Sequence, residues 1–82
     1  MPIAYFLLNV ALNHESDVIS EIKKLLQTYN SIKFEIQGVF GVYDVVVKVF
    51  SNNENDIRKT AIEKIRSIEH IQSAITMMVN DD

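Results

Sequence analysis

The spacing of the apolar residues changes along this chain between two values, and the order of the changes constrains the fold more than any other feature. Apolar residues are continuous or alternate in four segments, and they recur at helical spacing in two others. The segments are, in order, residues 3–12, 18–29, 32–36, 45–50, 57–68 and 71–79. A continuous or alternating run is typical of a strand and a period of about 3.6 of a helix. The chain is therefore predicted to fold in the order βαββαβ.

Two βα units joined by a hairpin favour one topology. Right-handed crossovers place such a chain in a ferredoxin-like α+β fold, an antiparallel four-stranded sheet of order 4-1-3-2 with two helices on one face. The only two glycines, Gly38 and Gly41, both fall between the second and third strands, where a hairpin needs a chain reversal. Residues 1–82 are predicted to form a single domain.

The first strand is apolar on both of its faces. Ile3, Tyr5 and Leu7 point one way, and Ala4, Phe6, Leu8 and Val10 point the other. A chain of 82 residues with 48% apolar residues and no cysteine has a small core and no disulfide to reinforce it. The face that the helices leave uncovered is therefore predicted to be buried by a second subunit, giving a homodimer that packs sheet against sheet.

Composition argues against several classes of protein. The net charge is −3 and no basic tract is longer than Lys23–Lys24, so a nucleic-acid binder is not expected. The apolar run 3–12 is about half of a membrane span and lacks the flanks of a signal peptide, which favours the cytoplasm and no membrane contact. No nucleophile–base set or phosphate loop is present, so no enzyme, cofactor or metal is expected.

Two stretches carry a family likeness. The hairpin reads Gly41-Val42-Tyr43-Asp44 and is followed by VVVKV at 45–49, and the last strand pattern contains IQS at 71–73 and TMMV at 76–79. With the element order, this resembles the effector-binding (RAM) domain of the leucine-responsive/asparagine-sensing (Lrp/AsnC) transcriptional regulators along essentially the whole chain. Because the first strand begins near residue 3, the likeness is to a stand-alone domain without a DNA-binding helix-turn-helix.

The resemblance implies a sensor of small molecules, typically amino acids, that dimerises through its sheets and assembles further into higher oligomers. It places the effector near the hairpin and the final strand. Asp44 would pair with the ligand ammonium, backbone N–H groups near Gly41 and Tyr43 would donate to the ligand carboxylate, and Thr76 would add a hydroxyl. The predicted ligand-binding residues are thus Gly41, Tyr43, Asp44 and Thr76.

Simpler interpretations of the same residues remain open. Asp44 can accept hydrogen bonds from N–H groups of its own hairpin, Gly41 can serve only the turn, and Tyr43 can pack at a subunit contact. The chain also departs from the family pattern. Phe40 and Ala74 stand where threonines are frequent, so the resemblance implies a pocket with fewer hydroxyl groups.

Other polar residues leave further alternatives. His14, Glu15 and His70 are predicted at one sheet edge, as solvated loop residues, a metal site or a pH-sensitive contact. Lys48 lies within the apolar third strand, where an outward edge position or an intersubunit ion pair is expected.

Two other functions are considered beside the sensor. One is an assembly module that forms mixed oligomers with full-length Lrp/AsnC regulators. The other is an enzyme of the dimeric α+β-barrel type, which would need a polar cavity between the sheet and the helices.

Overall fold

A computed structural model of the chain describes residues 3–29, 31–53, 55, 57–58 and 63–79. The elements are β1 (Ile3–Val10), α1 (Glu15–Gln27), β2 (Ile32–Gly38), β3 (Val45–Ser51), α2 (Glu63–Arg66) and β4 (Ile71–Met78). Their order is the predicted βαββαβ, because each change in apolar spacing falls at a change of element. The ferredoxin-like α+β fold is confirmed.

The sheet has the strand order β2-β3-β1-β4, and all neighbouring strands are antiparallel. This is the predicted 4-1-3-2 order counted from the opposite edge. β1 is one of the two central strands, and its Phe6 lies opposite Val47 of β3 and Thr76 of β4. Every second residue of β1 and β3 is buried, as expected for strands that bury one face against helices.

The core lies between that sheet face and the helices, and the buried apolar residues described there are aliphatic except for one phenylalanine. It consists of Ala4, Phe6, Leu8, Val10, Val18, Ile22, Leu26, Ile32, Val45, Val47, Val49, Ile57 and Ile65. The two faces predicted for the first strand are confirmed, since Ala4, Phe6, Leu8 and Val10 are buried and the alternate residues are not. The largest side chain of this core, Phe6, sits at the centre of the sheet.

The first strand is shorter than predicted. It ends at Val10 instead of Leu12, and the Leu12 side chain is 81% exposed. The chain turns here because Asn13 adopts a left-handed conformation, φ 70°, and His14 N donates a hydrogen bond to Ala11 O at 3.0 Å. An apolar residue in a tight turn extends the apparent strand pattern without extending the ladder.

The structure describes all of α1 but only part of the predicted second helix. The N-cap of α1 is His14, whose side chain makes no capping hydrogen bond. Residues 59–62 of the predicted second helix lie outside the described residues, whereas Ile57 and Ile65 on its apolar face are fully buried. No helix of the described part of the chain is long and apolar enough to cross a membrane.

Candidate functional site

Three loops meet at one edge of the sheet. They follow β1, connect β2 to β3, and precede β4. The first and third are joined by Ala11 N, which donates to His70 O at 2.8 Å. The second loop is joined to β1 itself by Asp44 N, which donates to Leu8 O at 2.9 Å. We call this end of the molecule, residues 11–14, 39–44 and 69–70, the loop edge.

Asp44 holds the hairpin against β1 through both backbone and side chain. Val10 N donates to Asp44 Oδ2 at 2.9 Å, and Val39 N donates to Asp44 O at 2.9 Å. The β1–β3 ladder ends toward the hairpin at the pair of Leu8 and Val45, so the Asp44 carboxylate supplies an acceptor to β1 beyond the end of that ladder. The observed side-chain partner is therefore β1 and not an N–H of the hairpin itself. A carboxylate has about four acceptor positions, so one such bond leaves capacity for a ligand.

Gly41 is at the tip of the hairpin with φ +138°, a conformation that side-chain-bearing residues rarely adopt. A Cβ added there would meet nothing within 4 Å, so the glycine serves the backbone conformation and not close packing. The residues on either side, Phe40 and Val42, are both highly exposed. Two large apolar side chains are therefore exposed to solvent at the tip of the hairpin.

The four predicted site residues do not all come together in one chain. Gly41, Tyr43 and Asp44 share the hairpin, and Tyr43 is half-buried. Thr76 lies on the other side of β1, opposite Phe6, and two strand spacings put it about 10 Å or more from Asp44. Its Oγ1 is buried and has no hydrogen-bond partner in the described part of the chain, which is unusual for a buried hydroxyl.

His14 and His70 lie at one edge of the sheet, as predicted, and they are in direct contact. Their rings stack with centroids 3.6 Å apart and an interplanar angle of 5°. His14 Nδ1 also lies 3.2 Å from Asp17 Oδ2. Among the described residues, no group of three or more histidines and carboxylates is arranged to hold a metal ion. The pair joins the start of α1 to the start of β4.

The sheet face opposite the helices is the second feature of interest, and we call it the open face. Its residues are Lys33, Glu35, Gln37, Val46, Lys48, Phe50, Ile3, Tyr5, Leu7, Asn9, Ser73, Ile75 and Met77. All of them are half-buried or exposed, and Ile75 and Met77 are 44% and 48% exposed. The centre of this face is apolar and its polar residues lie mainly at the margins. Such a patch is typical of a protein–protein contact.

Comparison with known proteins supports the fold along its whole length. FFRP-DM1 is 30% identical, with a TM-score of 0.78, over 98% of this chain and 100% of that chain. The hypothetical protein PHS023 from Pyrococcus horikoshii is also 30% identical, with a TM-score of 0.77, over 100% and 93% of the two chains. No protein-family model matches the sequence, and a search of curated proteins gave no match.

Longer regulators share the same fold. E. coli AsnC is 24% identical with a TM-score of 0.60, and 98% of this chain aligns with 52% of that chain. The transcriptional regulator NMB0573 from Neisseria meningitidis, solved as an L-Met complex, is 12% identical with a TM-score of 0.68, over 99% and 51% of the chains. These neighbours are regulators and small related proteins rather than enzymes.

The chain therefore has the fold that these transcriptional regulators contain over about half of their length. The chain belongs to the Lrp/AsnC family and has the fold of its effector-binding domain.

Proposed function

We propose that the chain is a sensing module for a small molecule, an amino acid, which acts in the regulation of transcription or amino-acid metabolism through assembly with further copies. The observation that carries this proposal is membership of the Lrp/AsnC family by fold and by 30% identity along nearly the whole chain. Support for an amino-acid ligand comes from the L-Met complex of NMB0573. A net charge of −3 supports a role without direct DNA binding.

The proposed ligand site is the hairpin of the loop edge. Asp44 is anchored by its bond to Val10 N and retains acceptor positions for a ligand ammonium. Backbone N–H groups near Gly41 and Tyr43 would hold the ligand carboxylate, and the exposed Phe40 and Val42 would cover an apolar side chain. Thr76 is the remaining proposed contact, supported by its unpartnered buried hydroxyl.

The proposed assembly begins with a homodimer that buries the open face. Burial of apolar area contributes about 25 cal/mol per Å². The continuous apolar patch that such a dimer would bury consists of the half-exposed Ile3, Tyr5, Leu7 and Val46. The exposed hairpin tips then remain available for contacts between dimers. A ligand bound there would be read as a change in oligomer size.

A thermal-shift screen across the amino acids, with native mass spectrometry on the same samples, tests the sensing proposal. A ligand at 100 times its Kd stabilises a protein by about 2.7 kcal/mol. For a domain of this size that corresponds to roughly 10–20 °C in Tm. We expect one amino acid, or a few related ones, to produce such a shift and to change the distribution of oligomers. If no amino acid raises Tm even at millimolar concentration, the sensing proposal fails.

A second candidate function is an assembly module that forms mixed oligomers with full-length Lrp/AsnC regulators. It is favoured by the alignment of this chain with about half of E. coli AsnC, since the longer regulator then carries a domain of the same fold. Co-expression with a full-length Lrp/AsnC regulator from the same organism, followed by native mass spectrometry, checks it. We expect masses of mixed dimers or higher mixed species. Recovery of the two homo-oligomers alone would contradict this function.

A further inference from the structure

One cation lies in the apolar centre of the open face. Lys48 is half-buried, and its Nζ lies 5.9 Å from the ring centroid of Tyr5 and 5.7 Å from that of Phe50. Both distances are within the range of cation–π contacts, so the two rings hold the ammonium over the sheet. The residues directly opposite Lys48 on the neighbouring strands, which form one row with it, are Glu35 on β2 and Tyr5 on β1. The ammonium therefore leans from β3 toward the centre of the face.

Only one carboxylate lies among the described strand residues of this face. It belongs to Glu35, which is exposed on the edge strand β2, directly opposite Lys48 in the register. Directly opposite residues of antiparallel strands have Cβ atoms about 5 Å apart. Even so, the described residues show no ion pair between Glu35 and Lys48, whose ammonium is over the two rings instead. Lys33, the other cation of the face, is exposed at the same edge beside Phe50.

Covering this face with another sheet would remove water from Lys48. A buried ammonium is costly unless it gains a carboxylate partner, and aromatic rings replace only part of the lost hydration. In a two-fold symmetric contact every pairing occurs twice, so a face with one central cation and one carboxylate can complement a second copy of itself. A sheet that lacked the carboxylate would leave the charge unpaired.

We propose that Lys48 of one copy pairs with Glu35 of a second copy across the open face, and that this charge pair selects the second copy over other sheet-bearing partners. The inference rests on the proposed sheet-to-sheet dimer and adds the residues that determine its specificity. Apolar area supplies the attraction, and the two charges reject a partner of the wrong charge pattern.

The test is an exchange of the two charges in one chain, Lys48→Glu with Glu35→Lys, mixed with the 15N-labelled wild-type chain and weighed by native mass spectrometry. The exchanged chain restores both pairs in its own dimer, so we expect its Kd to stay within about 10-fold of wild type. A mixed dimer would instead place Glu against Glu and Lys against Lys. We expect mixed dimers to fall from about half of the total to below about one-tenth.

A mixture of the two single variants, Lys48→Glu and Glu35→Lys, provides the complementary measurement. Each alone has like charges in its own dimer, and both are correctly paired in the mixed dimer. We expect mixed dimers to predominate. The matched control is Lys33→Glu, which changes charge on the same face outside the Lys48 row and should mix freely with wild type.

Several results would overturn the inference. Free mixing of wild-type and exchanged chains would mean that the charges pair within each chain or not at all. Segregation of the Lys33→Glu chain would mean that net charge, and not this pair, selects the partner. An exchanged chain that folds by circular dichroism but stays monomeric beside a dimeric wild type would also count against it. A monomeric wild type would instead reject the underlying dimer, which is a different failure.

Discussion

Leu7→Glu is expected to convert the proposed sheet-to-sheet dimer into a folded monomer. Leu7 lies in the middle of the open face, between Val46 of β3 and Ile75 of β4. Burial of a leucine side chain contributes about 1.5–3 kcal/mol, and the two-fold contact contains it twice. The variant also puts an unpaired carboxylate into an apolar contact, which costs more than the lost area. We expect Kd for dimerisation to rise at least about 1,000-fold, measured by sedimentation velocity across a concentration series.

The monomer itself should tolerate this substitution, because the Leu7 side chain points away from the helices and is only half-buried in a single chain. Circular dichroism should show unchanged secondary structure. Ser16→Glu is the matched control, since it adds the same carboxylate at an exposed position of the first turn of α1. If Leu7→Glu dimerises as tightly as the control, the open face is not the dimer contact.

Replacement of Asp44 by asparagine and by alanine should separate the structural role of this residue from its proposed role in ligand binding. The alanine variant removes the acceptor of the Val10 N–H bond. Loss of one such bond lowers the free energy of unfolding by about 1–3 kcal/mol. Each kcal/mol lost lowers Tm by roughly 4–8 °C for a domain of this size. The asparagine variant keeps a side-chain oxygen that can accept from Val10 N, so we expect its Tm to stay close to that of the wild type.

The asparagine variant, although expected to be as stable as the wild type, should bind the ligand much more weakly. Asparagine has no negative charge to pair with an ammonium, so the amino acid that stabilises the wild type should bind Asp44→Asn at least about 100-fold more weakly. Isothermal titration calorimetry on the folded variant measures this. Asp17→Asn, which neutralises another carboxylate near the same edge, is the control and should leave binding unchanged. Unaltered binding by Asp44→Asn would restrict Asp44 to holding the hairpin against β1.

Much of the fold was predictable because each apolar segment of the sequence is long enough to show its period. The alternation in residues 3–10 identifies both faces of β1, and the two glycines identify the hairpin. The errors occur where an apolar side chain belongs to no buried element. Leu12 continues the pattern of the first strand but lies in a turn, because the left-handed conformation of Asn13 ends the ladder. Periodicity records side-chain type and contains no information about where backbone pairing stops.

The site was predictable only in part. The sequence indicates that Tyr43 and Asp44 share a hairpin, since neighbours in a short loop stay close in space. It gives no indication that Asp44 bonds to Val10, 34 residues away, or that the rings of His14 and His70 stack. Those contacts depend on how three loops converge. The position of Thr76 was not predictable either, because it depends on the register of β4 against β1, which places Thr76 across β1 from the hairpin.

By itself the sequence determined the order of the elements, their faces and the apolar character of the centre of the open face, because these follow from local periodicity and right-handed connections. Only the tertiary structure decided how side chains far apart in the chain meet. It places Asp44 at the end of the β1 ladder, where its carboxylate is held by a backbone N–H, and it places Lys48 over the rings of Tyr5 and Phe50. The physical reason is that such contacts depend on strand register and loop closure, which long-range packing fixes.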